Sequence, residues 1–340
     1  MRKWGMRFTG LMCMFAITLH AGDWESMLAA KYLDEKQKQW AEWKPAQAAG
    51  GTCLSCHTGL PYLIARPAVR ELHNQAEPAA YEKALLGGLR HRLAQPMPAA
   101  PYKTGFVVET VLAAVALAPD AAALERMWAT QTLEGANAGA WAWYSLDLDP
   151  YETAVSPYYG ATLAAWAVSK MPAEYRTRPE VAPRVRALVE YLRKNQAGQP
   201  LHNRLGLLWS AGNLPGLMTK AEQAALVGEL WKLQQKDHGW TLESLGPWGA
   251  HAKAPAAVAG SNAYATALVA FTLQRGGASH RDKRLMYALN WLAERQDQKT
   301  GSWAAQSMNK VYAEGSLQAD FMRDAATGFA AAALAEFDLH

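Results

Sequence analysis

The chain has 340 residues, 50% of them hydrophobic, with 34 basic against 30 acidic side chains and a formal charge of +4. That is enough apolar material for a large core, as one big domain or two smaller ones, while three cysteines are too few for a disulfide scaffold. With no clustered basic face, composition lends nucleic-acid binding no support.

Arg2, Lys3 and Arg7 precede an apolar run of 12 residues, Phe8 to Leu19, that ends near His20-Ala21-Gly22. This is the layout of a cleavable export signal over residues 1–22, and the run falls short of the roughly 20 apolar residues that span a bilayer. Cys13 lacks the small residues that a lipoprotein signal places just before its cysteine, so lipidation is not expected. Cleavage takes away three basic and no acidic side chains, so the formal charge falls from +4 to +1, and Cys53 and Cys56 become the only cysteines. The mature chain is expected to be periplasmic or otherwise exported from a bacterium, with no stable membrane span.

Beyond a charged, helix-spaced stretch near residues 24–44 comes Cys53-Leu54-Ser55-Cys56-His57. C-x-x-C-H is the attachment pattern of a c-type haem: each cysteine forms a thioether with a porphyrin vinyl group, and the adjacent imidazole becomes the proximal iron ligand. One covalent haem c, held by Cys53, Cys56 and His57, is the expected cofactor. A redox C-x-x-C disulfide and half of a zinc site are the alternatives that the spacing leaves open. Arg66 and Arg70 are candidates to pair with haem propionates, or else simply to solvate a helix. Met97, in Pro96-Met97-Pro98, is the first candidate for a distal iron ligand, from a segment stiffened by two prolines. His202, His238, His251 and Met308 stand behind it, and an open sixth position is the alternative.

The rest of the chain reads as alternating helices. Charged members are predicted near 24–44, 77–95, 121–131, 181–196, 220–235 and 281–296, and apolar partners near 60–72, 105–118, 157–170, 203–212, 261–275 and 323–337. Four of the apolar members are centred on a threonine: Thr110, Thr162, Thr266 and Thr327. Each pair occupies about 50 to 60 residues, as helical-pair repeats do. A finer pattern recurs where charged helix leads to apolar helix. Gln131 leads to Gly139-Ala140-Trp141, Gln235 to Gly239-Trp240 and Gln296 to Gly301-Ser302-Trp303, and a serine follows each tryptophan by four positions.

That pattern resembles the QW repeats of the squalene cyclase and protein prenyltransferase superfamily, over most of residues 100–337. The resemblance implies an all-α fold, an (α/α)6 toroid of the terpenoid cyclase/prenyltransferase type, with residues 23–340 as a single domain of six helix pairs around a central cavity. Its glutamines and tryptophans are read as staples for helix ends. In such a toroid all charged-to-apolar connections emerge on one rim. Cys53, Cys56 and His57 would then share a rim with Trp141, Tyr151, Trp240, Trp248, Trp303 and Tyr312, at the mouth of an aromatic-lined cavity, while His73 and His280 would face the other rim.

Cyclase chemistry is disfavoured, because the chain has neither D-x-D-D nor D-D-x-x-D; Asp147, Asp149 and Glu152 are the nearest approach and read as a polar turn. Two functions remain. One is a haem protein that passes electrons to an unspecified redox partner or acts on a molecule at the cavity mouth. The other is a non-redox binding module or cyclase-like enzyme for an apolar, isoprenoid-type ligand, with haem structural or sensory.

Overall fold

The computed structural model describes residues 23–48, 51–100 and 102–340; the predicted export signal, with Arg2, Lys3, Arg7 and Cys13, lies outside them. The described chain is all-helical apart from a two-residue antiparallel ribbon, Gln47–Ala48 with Gly51–Thr52. In chain order the helices are α1 (Ser26–Glu42), α2 (Gly59–Leu72), α3 (Ala80–Leu93), α4 (Lys103–Leu117), α5 (Ala121–Ala129), α6 (Ser156–Ser169) and the single turn α7 (Ala173–Arg176). There follow α8 (Ala182–Asn195), α9 (Leu201–Leu208), α10 (Lys220–Leu233), α11 (Ala263–Arg275), α12 (Lys283–Ala293) and α13 (Leu317–Asp338). Apart from α7, each corresponds to one of the twelve predicted helices. Side-chain caps set several starts: Asp120 for α5, Asn262 for α11, Asp282 for α12, and a Thr219/Glu222 capping box for α10.

Burial separates the two classes. From Val107 to Leu117 α4 has only Ala116 outside the buried core, and α6 and α11 are buried along almost their whole length, whereas α10 buries only Leu226 and Leu230. The buried helices touch in a closed order: α2 packs on α4, α4 on α6, α6 on α9, α9 on α11, α11 on α13, and α13 back on α2. Small residues permit the closest of these approaches. A β-carbon on Gly328 of α13 would stand 2.4 Å from that of Pro61 in α2. Among the buried helices, Trp166, Trp209, Tyr264, Phe271 and Phe329 form one cluster with ring centroids 5.3 to 6.4 Å apart.

The glutamine and tryptophan repeats are staples. Trp141, Trp240 and Trp303 are fully buried, and each donates its indole N–H to a carbonyl of the preceding charged helix: Met127, Leu230 and Leu292. Gln131 donates both to Gly139 O and to Arg184 O of α8; Gln296 donates to Gly301 O and to Glu25 O, and accepts from Glu25 N. Each glutamine thus ties a helix end to the next charged helix. In the middle repeat the residue is Gln234, not the expected Gln235: Gln234 donates to His238 O and to Arg284 O of α12, while Gln235 reaches only Leu233 O. The stapled carbonyl lies two residues before the tryptophan in all three repeats, always with positive φ: +97° at Gly139, +74° at His238 and +79° at Gly301. The recurrent threonines serve the same joints, since Thr266 and Thr327 accept the backbone N–H of Trp240 and Trp303.

Candidate functional site

Cys53 to His57 lies in the link between α1 and α2, and its backbone is held at Cys53, Leu54 and Ser55. Cys53 N donates to Ala46 O at 2.9 Å, and Trp40 of α1 donates its indole N–H to Cys53 O at 2.8 Å. Leu54 N donates at 2.9 Å to Glu109 of α4, whose carboxylate also takes a two-point ion pair from Arg92 of α3, at 2.9 and 2.6 Å. Both members of that pair are buried. The Ser55 hydroxyl accepts the amides of Thr58 and Gly59 and so starts α2. Gly59 is the residue that fits, because a β-carbon there would stand 2.5 Å from Leu54 Cδ1.

His57 sits in an aromatic box. Phe321 of α13 stacks on it with centroids 3.6 Å apart, and Trp40 meets it edge-on at 5.1 Å. Part of the ring still meets solvent, yet these surroundings hold it neutral, its pKa lowered by burial to about 3. Its Nδ1 lies 3.0 Å from Thr58 Oγ1, which donates at 2.7 Å to Asp324; Tyr32 donates to the other Asp324 oxygen at 2.9 Å. With Asp324 ionised, the one proton of Thr58 is committed to it, so Thr58 can only accept from His57 Nδ1–H. In that ionisation state the lone pair is on Nε2, which makes no hydrogen bond among the described residues. A buried chain of this kind is how metal-ligating histidines are usually oriented. Burial also lifts Asp324 itself, to about 7, against the pull of the Thr58 and Tyr32 hydrogen bonds.

Cys53 and Cys56 are free thiols. Burial and the neighbouring Glu109 charge raise Cys53 to about 11, and burial raises Cys56 well above the usual thiol range. Redox C-x-x-C pairs work the other way, with a depressed pKa that yields thiolate. Among the described residues no three His, Cys, Asp or Glu side chains converge as a metal-ion cage, these included. Glu152, itself raised by burial, acts electrostatically on both thiols and on Tyr144 and Tyr312.

The other sequence candidates are placed as follows. Arg66 is buried and pairs with Asp34 through two nitrogens, at 3.0 and 3.3 Å; Arg70 pairs with Glu82 at 3.2 Å. Both arginines therefore already hold carboxylates of the chain. Met97 is 45% exposed in the loop between α3 and α4, and is no part of the aromatic box. His202 is buried, bonded to Asn203 and Tyr264, and held neutral with a pKa of about 4 by burial. His251 is bonded to Asp149, which also takes Gly249 N, while Asn309 bonds to the Asp149 backbone from both sides. Asp149 thus knits three connections together, as a polar turn would. Trp40, Arg92, Glu109, Phe321 and Asp324 escaped the sequence reading. The one signal among them was Glu109, a lone charge inside the apolar run from Phe106 to Leu117.

No family model matches the chain, and no curated protein matches it.

Proposed function

We propose that this protein is an exported c-type haem protein built on an (α/α)6 toroid. The closed order of contacts among the six buried helices supports the architecture, and the stapled joints repeat at its corners. The observation that carries the haem reading is His57: an imidazole next to C-x-x-C, oriented through Nδ1 by Thr58 and Asp324, with Nε2 left bare. Thiols kept protonated by burial suit neutral thioethers and argue against a redox disulfide.

In this reading Cys53, Cys56 and His57 would hold the haem, while Trp40 and Phe321 pack against the imidazole and limit its contact with water. A bound haem c would supply one-electron redox chemistry. Thr58 and Asp324 keep the His57 proton on Nδ1, and Glu109 with Arg92 fixes the backbone between the cysteines. Electron transfer to a partner protein is the activity this arrangement favours, with export of the chain as its prerequisite.

Periplasmic expression with a haem-attachment system, followed by intact-mass measurement, tests the premise. One covalent haem per chain is expected, lost in Cys53→Ala/Cys56→Ala; a chain that acquires none overturns the reading. Reduced spectra with and without carbon monoxide then distinguish a six-coordinate carrier, which shows no change, from an open ligand site.

A further inference from the structure

Helix α2 runs from the motif toward a cavity of ≈ 620 Å³, which its flank encloses together with the C-terminal turns of α4, α6, α11 and α13. One wall is apolar, made by Leu63, Ile64 and Pro67 of α2, Val115 of α4 and Trp166 of α6. The same lining carries Glu71 of α2 together with Lys170, Gln274, Arg275, His280 and Glu336.

Polar atoms with unmet hydrogen bonds converge here. Gln274 donates to Ala333 O at 3.0 Å but leaves Oε1 buried without a partner. Arg275 pairs with Glu336 through a terminal nitrogen and leaves Nε buried without one. His280 stacks on Phe337 and leaves Nδ1 in the same condition. Beside them Lys170 Nζ lies 4.2 Å from the Trp166 ring centroid, 3.4 Å from Val115 O, and in no ion pair among the described residues. The Arg275 guanidinium lies 5.0 Å from the same ring. These groups give one side of the cavity a polar lining beside the apolar wall, the mixed character of small-molecule sites.

We propose that this cavity binds an organic anion with an apolar body, its carboxylate taken by Lys170 Nζ beside the Arg275 guanidinium and its chain laid on the α2–α4 wall. The competing explanation is that both cations merely offset the partial negative charge of helix C-termini. That role would not call for the apolar wall that Leu63, Ile64, Pro67 and Val115 present beside the Lys170 ammonium. Desolvation and the Arg275 charge pull the Lys170 pKa down while Glu336 pulls it up, and the side chain itself is exposed, so an arriving carboxylate would favour its charged form. The site stands independently of the haem reading.

Titration calorimetry of the full chain with decanoate at pH 8, with decan-1-ol as the uncharged comparison, tests it. Saturable binding of decanoate is expected, with proton uptake, and with decan-1-ol weaker by about tenfold or more, as the loss of a charge-assisted hydrogen bond implies. Lys170→Met should weaken decanoate by the same factor and Lys170→Arg should retain it. Ile64→Trp, which fills the apolar wall and leaves the charges alone, should abolish binding and covers the case in which Lys170→Met fails to fold. No saturable decanoate binding, equal binding of the alcohol, or unchanged affinity in Lys170→Met or Ile64→Trp overturns the proposal.

Discussion

The link before α2 and the cavity beyond its flank are built differently. Around Cys53–His57 one chain of contacts runs from Leu54 to Glu109 to Arg92 and another from His57 to Thr58 to Asp324, with Gln37 Oε1 and Arg66 Nη1 left unmet nearby. Around Lys170 and Arg275, donors and acceptors are left unanswered inside a concavity. A continuous chain of hydrogen bonds holds a group in one fixed geometry, whereas unmet polar atoms beside an apolar wall suit something that comes and goes.

The sharpest way to break this contrast is at the motif end. Arg92→Met leaves the Glu109 carboxylate buried without its partner and should destabilise the fold by about 3–5 kcal/mol, read from denaturant midpoints. Lys170→Met, across the molecule, should stay within about 0.5 kcal/mol of the parent because Lys170 has no ion pair to lose. Equal effects would erase the distinction between the two ends.

An effect of similar size, but spread over pH, is expected from Asp324. Its carboxyl titrates near 7 in the folded protein, above the unfolded value of ~4, so the folded state retains a proton that the unfolded chain releases. This contribution to stability is fully present below pH ~4 and is lost as pH rises through 7. Asp324→Asn should therefore flatten the fall in stability between pH 4 and 7 in denaturation curves; an unchanged slope would remove Asp324 from the account. The smallest change is at the staple in the middle repeat. His238 takes the left-handed conformation that glycine takes in the other two, and His238→Gly should raise stability by roughly 1 kcal/mol, less what its contact with Tyr287 contributes. A loss in thermal melts would show that the ring contact outweighs the backbone strain.

Helix alternation was legible because burial writes a period into the sequence, and twelve of the thirteen helices follow from it. The staple register was less so: Gln234 and Gln235 are adjacent, and Gly239 drew the alignment one residue past His238, the true counterpart of Gly139 and Gly301. At the motif, Cys53, Cys56 and His57 were evident as a local pattern, but Phe321 and Asp324 come from α13 and Glu109 from α4. Which helices meet at the motif is decided by packing across the molecule, and no local period records it. The polar cavity was hidden for the same reason, since Lys170, Gln274 and Glu336 belong to three different helices.

The bond from Leu54 to Glu109 also imposes an order of events. It joins residues 55 positions apart, and it closes over a segment in which Cys56 is only 8% exposed. If, as proposed, both sulfurs take a prosthetic group, the catalyst that joins it would need the segment open, and attachment would belong before α3 and α4 dock. Export from the N-terminal end would offer that interval, because Cys53–His57 would emerge while Arg92 and Glu109 are still to come.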